Sequence, residues 1–102
     1  SLEQHRRLIE DFCRVAGYEL VKIFEDIDVS GATPLLKREG FKRLLDFCER
    51  EGVKVIVVPR MDRLTRTDDK RELAFIKLEL VLKRGYTIIS IGDMVRLDRD
   101  VV

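Results

Sequence analysis

Apolar residues recur at three- and four-residue spacing at the start of the chain. Leu8, Ile9, Phe12, Cys13, Val15 and Ala16 mark one stripe of a helix over residues 2–16. Ser1 and Gln4 have capping-box spacing, and Gly17 is a natural stop. The pattern then changes to the large, alternating apolar groups of Tyr18 to Phe24, which predict a strand ending at the acidic Glu25, Asp26 and Asp28. Residues 26–37 hold Ser30, Gly31, Thr33 and Pro34 and read as a turn-rich loop long enough to reach over a site. A second helix over 38–50 carries Phe41, Leu44, Leu45 and Cys48 on one face, and Gly52 closes it.

Val53 to Val58 is a β-branched run of the kind buried on both faces of a parallel sheet, and Pro59 ends it. Residues 60–68 connect it to a third helix over 69–84, stopped by Gly85. Its apolar positions, including Leu73, Ile76, Leu78, Leu80, Val81 and Leu82, cover more than one stripe. A second face therefore needs cover, and another subunit is the expected source. Tyr86 to Ile91 predicts a third strand, Gly92 a break, and Asp93 to Val102 the start of another helix. The order α, β, α, β, α, β predicts one α/β domain over residues 1–102, a three-layer sandwich with a mainly parallel sheet.

Composition narrows the function classes. Hydrophobic residues at 45% and charged residues at 38% place the chain far from the disordered class. Lys and Arg number 20 against 19 Asp and Glu, so any phosphate site must be a local cluster and not bulk positive charge. No apolar run approaches the ~20 residues that cross a bilayer. With no signal-peptide pattern either, a cytoplasmic protein without membrane contact is expected. Cys13 and Cys48 fall on apolar stripes as free thiols. Neither has a second Cys or a His at ligand spacing, so no metal and no cofactor is expected.

Ligands of parallel sheets bind beyond the carboxyl ends of the strands. Two loops qualify. One holds Asp26, Ser30 and Gly31 and leads into Lys37 and Arg38; the other runs from Pro59 to Arg66. Arg60, Arg63 and Arg66 recur every third residue, so a helical or 3₁₀ conformation puts them on one side. Clustered guanidinium groups repel unless an anion such as a phosphate bridges them, and Asp62 between them can hold one in place. The plainer alternative has these arginines coating a solvated helix start and pairing with Asp68, Asp69 and Glu72. Lys37-Arg38-Glu39-Gly40 is equally compatible with an ordinary helix start. His5 lies on a polar helix face without a catalytic partner, and no glycine-rich phosphate loop is present.

Taken together, Ser1-Leu2-Glu3-Gln4, Asp26 with Ser30-Gly31, Arg38-Glu39-Gly40-Phe41 and Asp62-Arg63-Leu64-Thr65-Arg66 resemble the serine recombinases, the resolvase and invertase family of site-specific DNA recombinases. The resemblance runs in order over nearly the whole chain. It implies that Arg38, Arg63 and Arg66 surround the scissile DNA phosphate and stabilise its charge during transfer. It assigns Asp62 to orienting arginines or moving a proton, adds Arg60 as a phosphate contact, and places Asp26, Ser30 and Gly31 in the active-site loop. It also implies a metal-free reaction through a serine-phosphate linkage, DNA as partner, a homodimer and a tetramer in the active complex. His5 stands where the family often has glutamine.

The family's nucleophilic serine lies at the end of a first strand, in an Arg-x-Ser motif just before the segment matched by Ser1 to Gln4. Ser1 matches the later serine and Ser30 the active-site loop, so the first strand and its nucleophile are expected to be missing here. By itself the chain is then expected to be inactive. Two other readings stay open: a non-catalytic fragment of the same fold that binds DNA or a partner chain, and a flavodoxin-like domain binding a small phosphorylated ligand at Arg63 and Arg66.

Overall fold

The computed structural model describes residues 2–25, 33–66 and 68–101. The sheet is built on β1 (Val55–Val58) and β2 (Thr87–Ser90), which run parallel with Val55 opposite Thr87 and Val58 opposite Ser90. A short β3 (Val95–Leu97) pairs antiparallel with the other side of β2, giving the order β1-β2-β3. The α/β character expected from the sequence is present. The sheet is mixed, however, and only one of its two pairings is parallel.

Two sequence expectations are corrected. The residues from Asp93 onward do not start a helix. They turn back through Gly92–Met94 so that β3 satisfies hydrogen bonds along β2, and Asp98 then accepts from the amides of Asp100 and Val101 to close the next turn. The segment 18–24 forms no strand. A ladder needs a neighbour about 4.8 Å away, whereas a groove of about 320 Å³ runs between Tyr18–Glu25 and Val53–Pro59. Side chains hold the segment instead. Glu25 pairs with Arg6 at 2.6 Å, the Phe24 ring meets Phe47 edge-on at 5.6 Å, and Tyr18 stacks on Phe12 and accepts from Arg96.

Helix α1 (Leu2–Ala16) follows the predicted bounds, but its stripe is only half used: Cys13 is buried, Ile9 and Phe12 are partly covered, and Val15 is exposed. The capping role read for Ser1 lies outside the described residues. Helix α2 (Glu39–Glu51) buries Phe41, Leu45 and Cys48 as its spacing predicts. Gly52 ends it with a φ of 69°, a left-handed conformation that a side chain would strain. Helix α3 (Lys70–Phe75) runs on into π-helical turns at Ile76–Lys83, where the Arg84 amide reaches back to the Glu79 carbonyl. Two 3₁₀ turns, Leu35–Lys37 and Met61–Arg63, lead into α2 and out of β1.

The core gathers Phe41, Leu45 and Cys48 of α2, Ile56 and Val58 of β1, Ile88 of β2 and Ile76, Leu80 and Val81 of the third helix. Tyr86 closes its lower end, with its hydroxyl donating to Glu49 at 2.9 Å. Leu35, Met61 and Leu64 belong to the same cluster, so both segments that lead toward the candidate site are anchored in the core. The second apolar face expected on the third helix is real, because Leu78 and Leu82 stay exposed.

The β2–β3 turn lies directly against the chain leaving β1. The Gly92 amide donates to the Pro59 carbonyl at 2.7 Å, and a Cβ at Gly92 would sit 2.8 Å from that oxygen and 2.9 Å from Arg60 Cγ. Gly92→Ala should therefore lower stability by about 1–3 kcal/mol, the usual cost of overpacking. Urea denaturation followed by circular dichroism measures it, and a wild-type midpoint would show that the two segments separate freely.

Candidate active site

The segment from Arg60 to Arg66 leaves the carboxyl end of β1 at the place the sheet topology predicts for a ligand. Met61, Leu64 and Thr65 are buried, which turns Arg60, Asp62, Arg63 and Arg66 outward. The 3₁₀ turn covers only Met61–Arg63, so the three-residue repeat does not run on to Arg66, and Arg63 and Arg66 line different cavities. Arg63 lines the groove beside β1, together with His5, Arg6 and Leu2 of α1. Arg66 lines a separate cleft of about 350 Å³ with Arg38, Arg71, Asp69, Glu72 and Thr33. Arg60 is drawn toward Asp93 at 3.3 Å and Asp62 at 3.7 Å.

Arg38 differs from the other arginines. It caps the start of α2 with extended backbone and sends its side chain inward. Its Nε donates to the Thr33 carbonyl at 3.0 Å, one terminal nitrogen to the Leu64 carbonyl at 3.0 Å, and the other to Glu72 at 3.1 Å. Glu72 also accepts from the Thr65 hydroxyl. The pair is buried, with 3% of the Arg38 side chain and 10% of the Glu72 side chain exposed. Magnitudes separate it from its neighbours. Removing one partner of a buried pair costs about 3–5 kcal/mol, whereas the half-exposed Arg60–Asp62 contact belongs to a class worth about 0–1 kcal/mol.

The plainer sequence alternative, in which the arginines pair with Asp68, Asp69 and Glu72, holds only in part. Arg66 lies 3.6 Å from the exposed Asp68. Asp69 instead caps α3 by accepting from the Arg71 and Glu72 amides, and Glu72 is taken by Arg38. Asp26, Ser30 and Gly31 lie outside the described residues.

Two residues near the site, Asp93 and Arg71, had no role in the sequence reading, and Glu72 entered it only as a partner for the arginines of the 60–66 segment. Asp93 accepts from the Met61 amide at 2.7 Å and the Ser90 hydroxyl at 2.6 Å, capping the 3₁₀ turn from the neighbouring hairpin. Glu72 stands in sequence at the last position of an Asp-x-x-Glu capping-box pattern. That role is closed to it because the Asp69 amide already donates to the Arg66 carbonyl. Arg71 adds a further cation to the cleft of Arg66. His5, read as lying on a polar face, is half-buried at the mouth of the groove. Burial first, then the Arg63 charge, holds it below the ordinary imidazole range, while Asp62 acts the other way. Both cysteines are buried and unpaired, and burial pushes their thiols up.

The segment Asp62-Arg63-Leu64-Thr65-Arg66, on which the sequence resemblance rests most specifically, thus follows directly from a core strand of an α/β domain. The family described as "Resolvase, N terminal domain" matches residues 1–100, and the chain belongs to that family. Among solved structures, the fold is similar to the crystal structure of the N-terminal catalytic domain of TP901-1 integrase. The TM-score is 0.78 at 21% sequence identity, over 94% of this chain and 71% of that one. No curated protein sequence matches the chain. Among the described residues no helix is long and apolar enough to cross a membrane.

The Asp93 cap makes stability depend on pH. The Met61 amide first, then the Ser90 hydroxyl and the Arg60 charge hold its carboxyl below the ordinary value of 3.8. The folded state therefore binds this proton less readily than the unfolded chain. The stabilisation is complete above the ordinary value and is lost as pH falls through the lower folded one. Asp93→Asn should reduce the melting temperature at about pH 7, and the deficit should shrink toward about pH 3. An equal deficit at both pH values would show that the charge on Asp93 contributes nothing.

Proposed function

We propose that this chain is the phosphate-holding part of a site-specific DNA recombinase catalytic domain, which cuts and rejoins DNA through a serine-phosphate linkage. The observation that carries the reading is the placement of Arg63 and Arg66 on the exposed side of a segment whose backbone is fixed by the core, by Asp93 and by Arg38. Guanidinium groups held in advance of the reaction stabilise charge that develops on a phosphodiester under attack, with no reorganisation at the moment of transfer. Arg63 and Arg66 are the phosphate contacts in this reading, Arg60 an outer one, and Asp62 the group that orients them. Arg38, buried against Glu72, either bonds the phosphate from the inner wall of the cleft or acts through the segment it supports.

In this reading the attacking serine sits on a strand upstream of the segment matched by Ser1 to Gln4. The groove along β1 suits such a strand: it is lined by the half-buried Val55 and Val57, and it reaches Arg63 just past the carboxyl end of β1. A strand lying there would complete a largely parallel central sheet and deliver its last residue beside Arg63. The resemblance puts Asp26, Ser30 and Gly31 in the active-site loop, which lies outside the described residues. Homodimer contacts fall to the exposed Leu78 and Leu82, with a tetramer in the active complex. The non-catalytic reading keeps the same fold and phosphate contacts but only binds DNA or a partner chain.

The test incubates the full-length protein with DNA carrying its recombination site. A covalent protein–DNA adduct that survives denaturation and forms equally in the presence of a chelator is expected. Arg63→Ala and Arg66→Ala should each lower the rate of its formation about 100-fold or more, the usual cost of removing one preorganised donor. Metal-dependent hydrolysis without an adduct would overturn the reading.

A further inference from the structure

We infer that Glu72 is a positioning residue for Arg66, acting through Arg38 and Thr65; the inference rests on the reading that Arg66 meets a DNA phosphate. Arg66 directly follows two fully buried residues, Leu64 and Thr65. The carbonyl of the first accepts from Arg38, and the hydroxyl of the second donates to Glu72, which also holds the neighbouring nitrogen of Arg38. On its other side, the Arg66 carbonyl accepts from the Asp69 amide, and the Asp69 carboxylate accepts from the amides of Arg71 and Glu72. The backbone of Arg66 is therefore tied on both sides to the first turn of α3. Its side chain remains 54% exposed, with only a loose contact to Asp68.

The chemistry of Glu72 fits this role. A carboxylate offers two acceptor oxygens, and here one of them serves both a guanidinium and a hydroxyl donor. It balances the Arg38 charge inside the protein, where an unpaired guanidinium is strongly disfavoured. It also keeps Arg38 on the Leu64 carbonyl, so the arginine acts as a brace between α2, α3 and the segment carrying Arg66. Glutamine at position 72 keeps the shape and one acceptor oxygen but removes the charge that retains Arg38. Valine at position 65 removes only the hydroxyl, and serine restores it.

The experiment titrates the chain with a short DNA duplex of mixed sequence at low salt. The arginine Nε–H signals are followed by NMR and the affinity by fluorescence anisotropy. In the wild type, the Arg63 and Arg66 signals should both move on adding DNA. In Glu72→Gln, with the backbone spectrum still that of the folded protein, the Arg66 response should fall and the affinity weaken about fivefold, equivalent to one ordinary hydrogen bond. The Arg63 response should persist. Thr65→Val should show the same selective loss to a smaller extent, and Thr65→Ser should restore wild-type behaviour. If Glu72→Gln fails to fold, the two Thr65 variants decide. Folded variants that bind as the wild type does, with the Arg66 response intact, would reduce Glu72 to a purely structural role and leave the functional reading standing. A wild type in which neither arginine responds to DNA would overturn the functional reading itself, and the positioning role with it.

Discussion

The buried ion pair between Arg38 and Glu72 joins parts of the chain that lie far apart in sequence: the entry to α2, the first turn of α3, and the segment leaving β1. A guanidinium inside a protein is tolerated only when its donors are satisfied and its charge is matched. Arg38 meets both conditions with two backbone carbonyls and one carboxylate. The pair is therefore an orienting device more than a source of net stability. Its desolvation cost offsets much of its attraction, but any arrangement that breaks it leaves a charge stranded. Leu64 and Thr65 stay buried on one side of the segment, and Arg63 and Arg66 stay outside.

A second brace acts on the opposite end of the same segment. Asp93 reaches from the β2–β3 turn to cap the Met61–Arg63 turn, and Gly92 lets that hairpin approach closely enough for the contact to form. Asp93 is partly exposed and Glu72 nearly buried, so the two ends should respond differently to acid, substitution and salt. Membership of the resolvase family and the similarity to an integrase catalytic domain give this doubly held, arginine-bearing segment its chemical context. Exposed guanidinium groups on a fixed backbone suit an anion whose charge grows during reaction. The groove beside β1 has Arg63 at its end.

The helices were legible from the three- and four-residue spacing of their apolar positions, a local property, although only α2 buries its stripe closely. Val55–Val58 and Thr87–Ser90 were legible because β-branched runs bounded by Pro and Gly have few other solutions. Tyr18–Phe24 has the same local signature and yet joins no ladder, since a strand exists only where a neighbour lies within hydrogen-bonding distance. Val95–Leu97 shows the converse. A weak local pattern became a strand because β2 offered it an edge.

The ordered motifs by themselves determined the family and the strand end from which its arginines project, since residue type and spacing are written in the chain. What only the tertiary structure decided is how those arginines are divided. Arg63 faces the groove, Arg66 faces the cleft, and Arg38 turns inward to a glutamate 34 positions away. Spacing sets where a side chain leaves the backbone. Its partner depends on which distant groups the fold brings within about 3 Å, and on whether water is excluded there, and neither is a property of the local sequence.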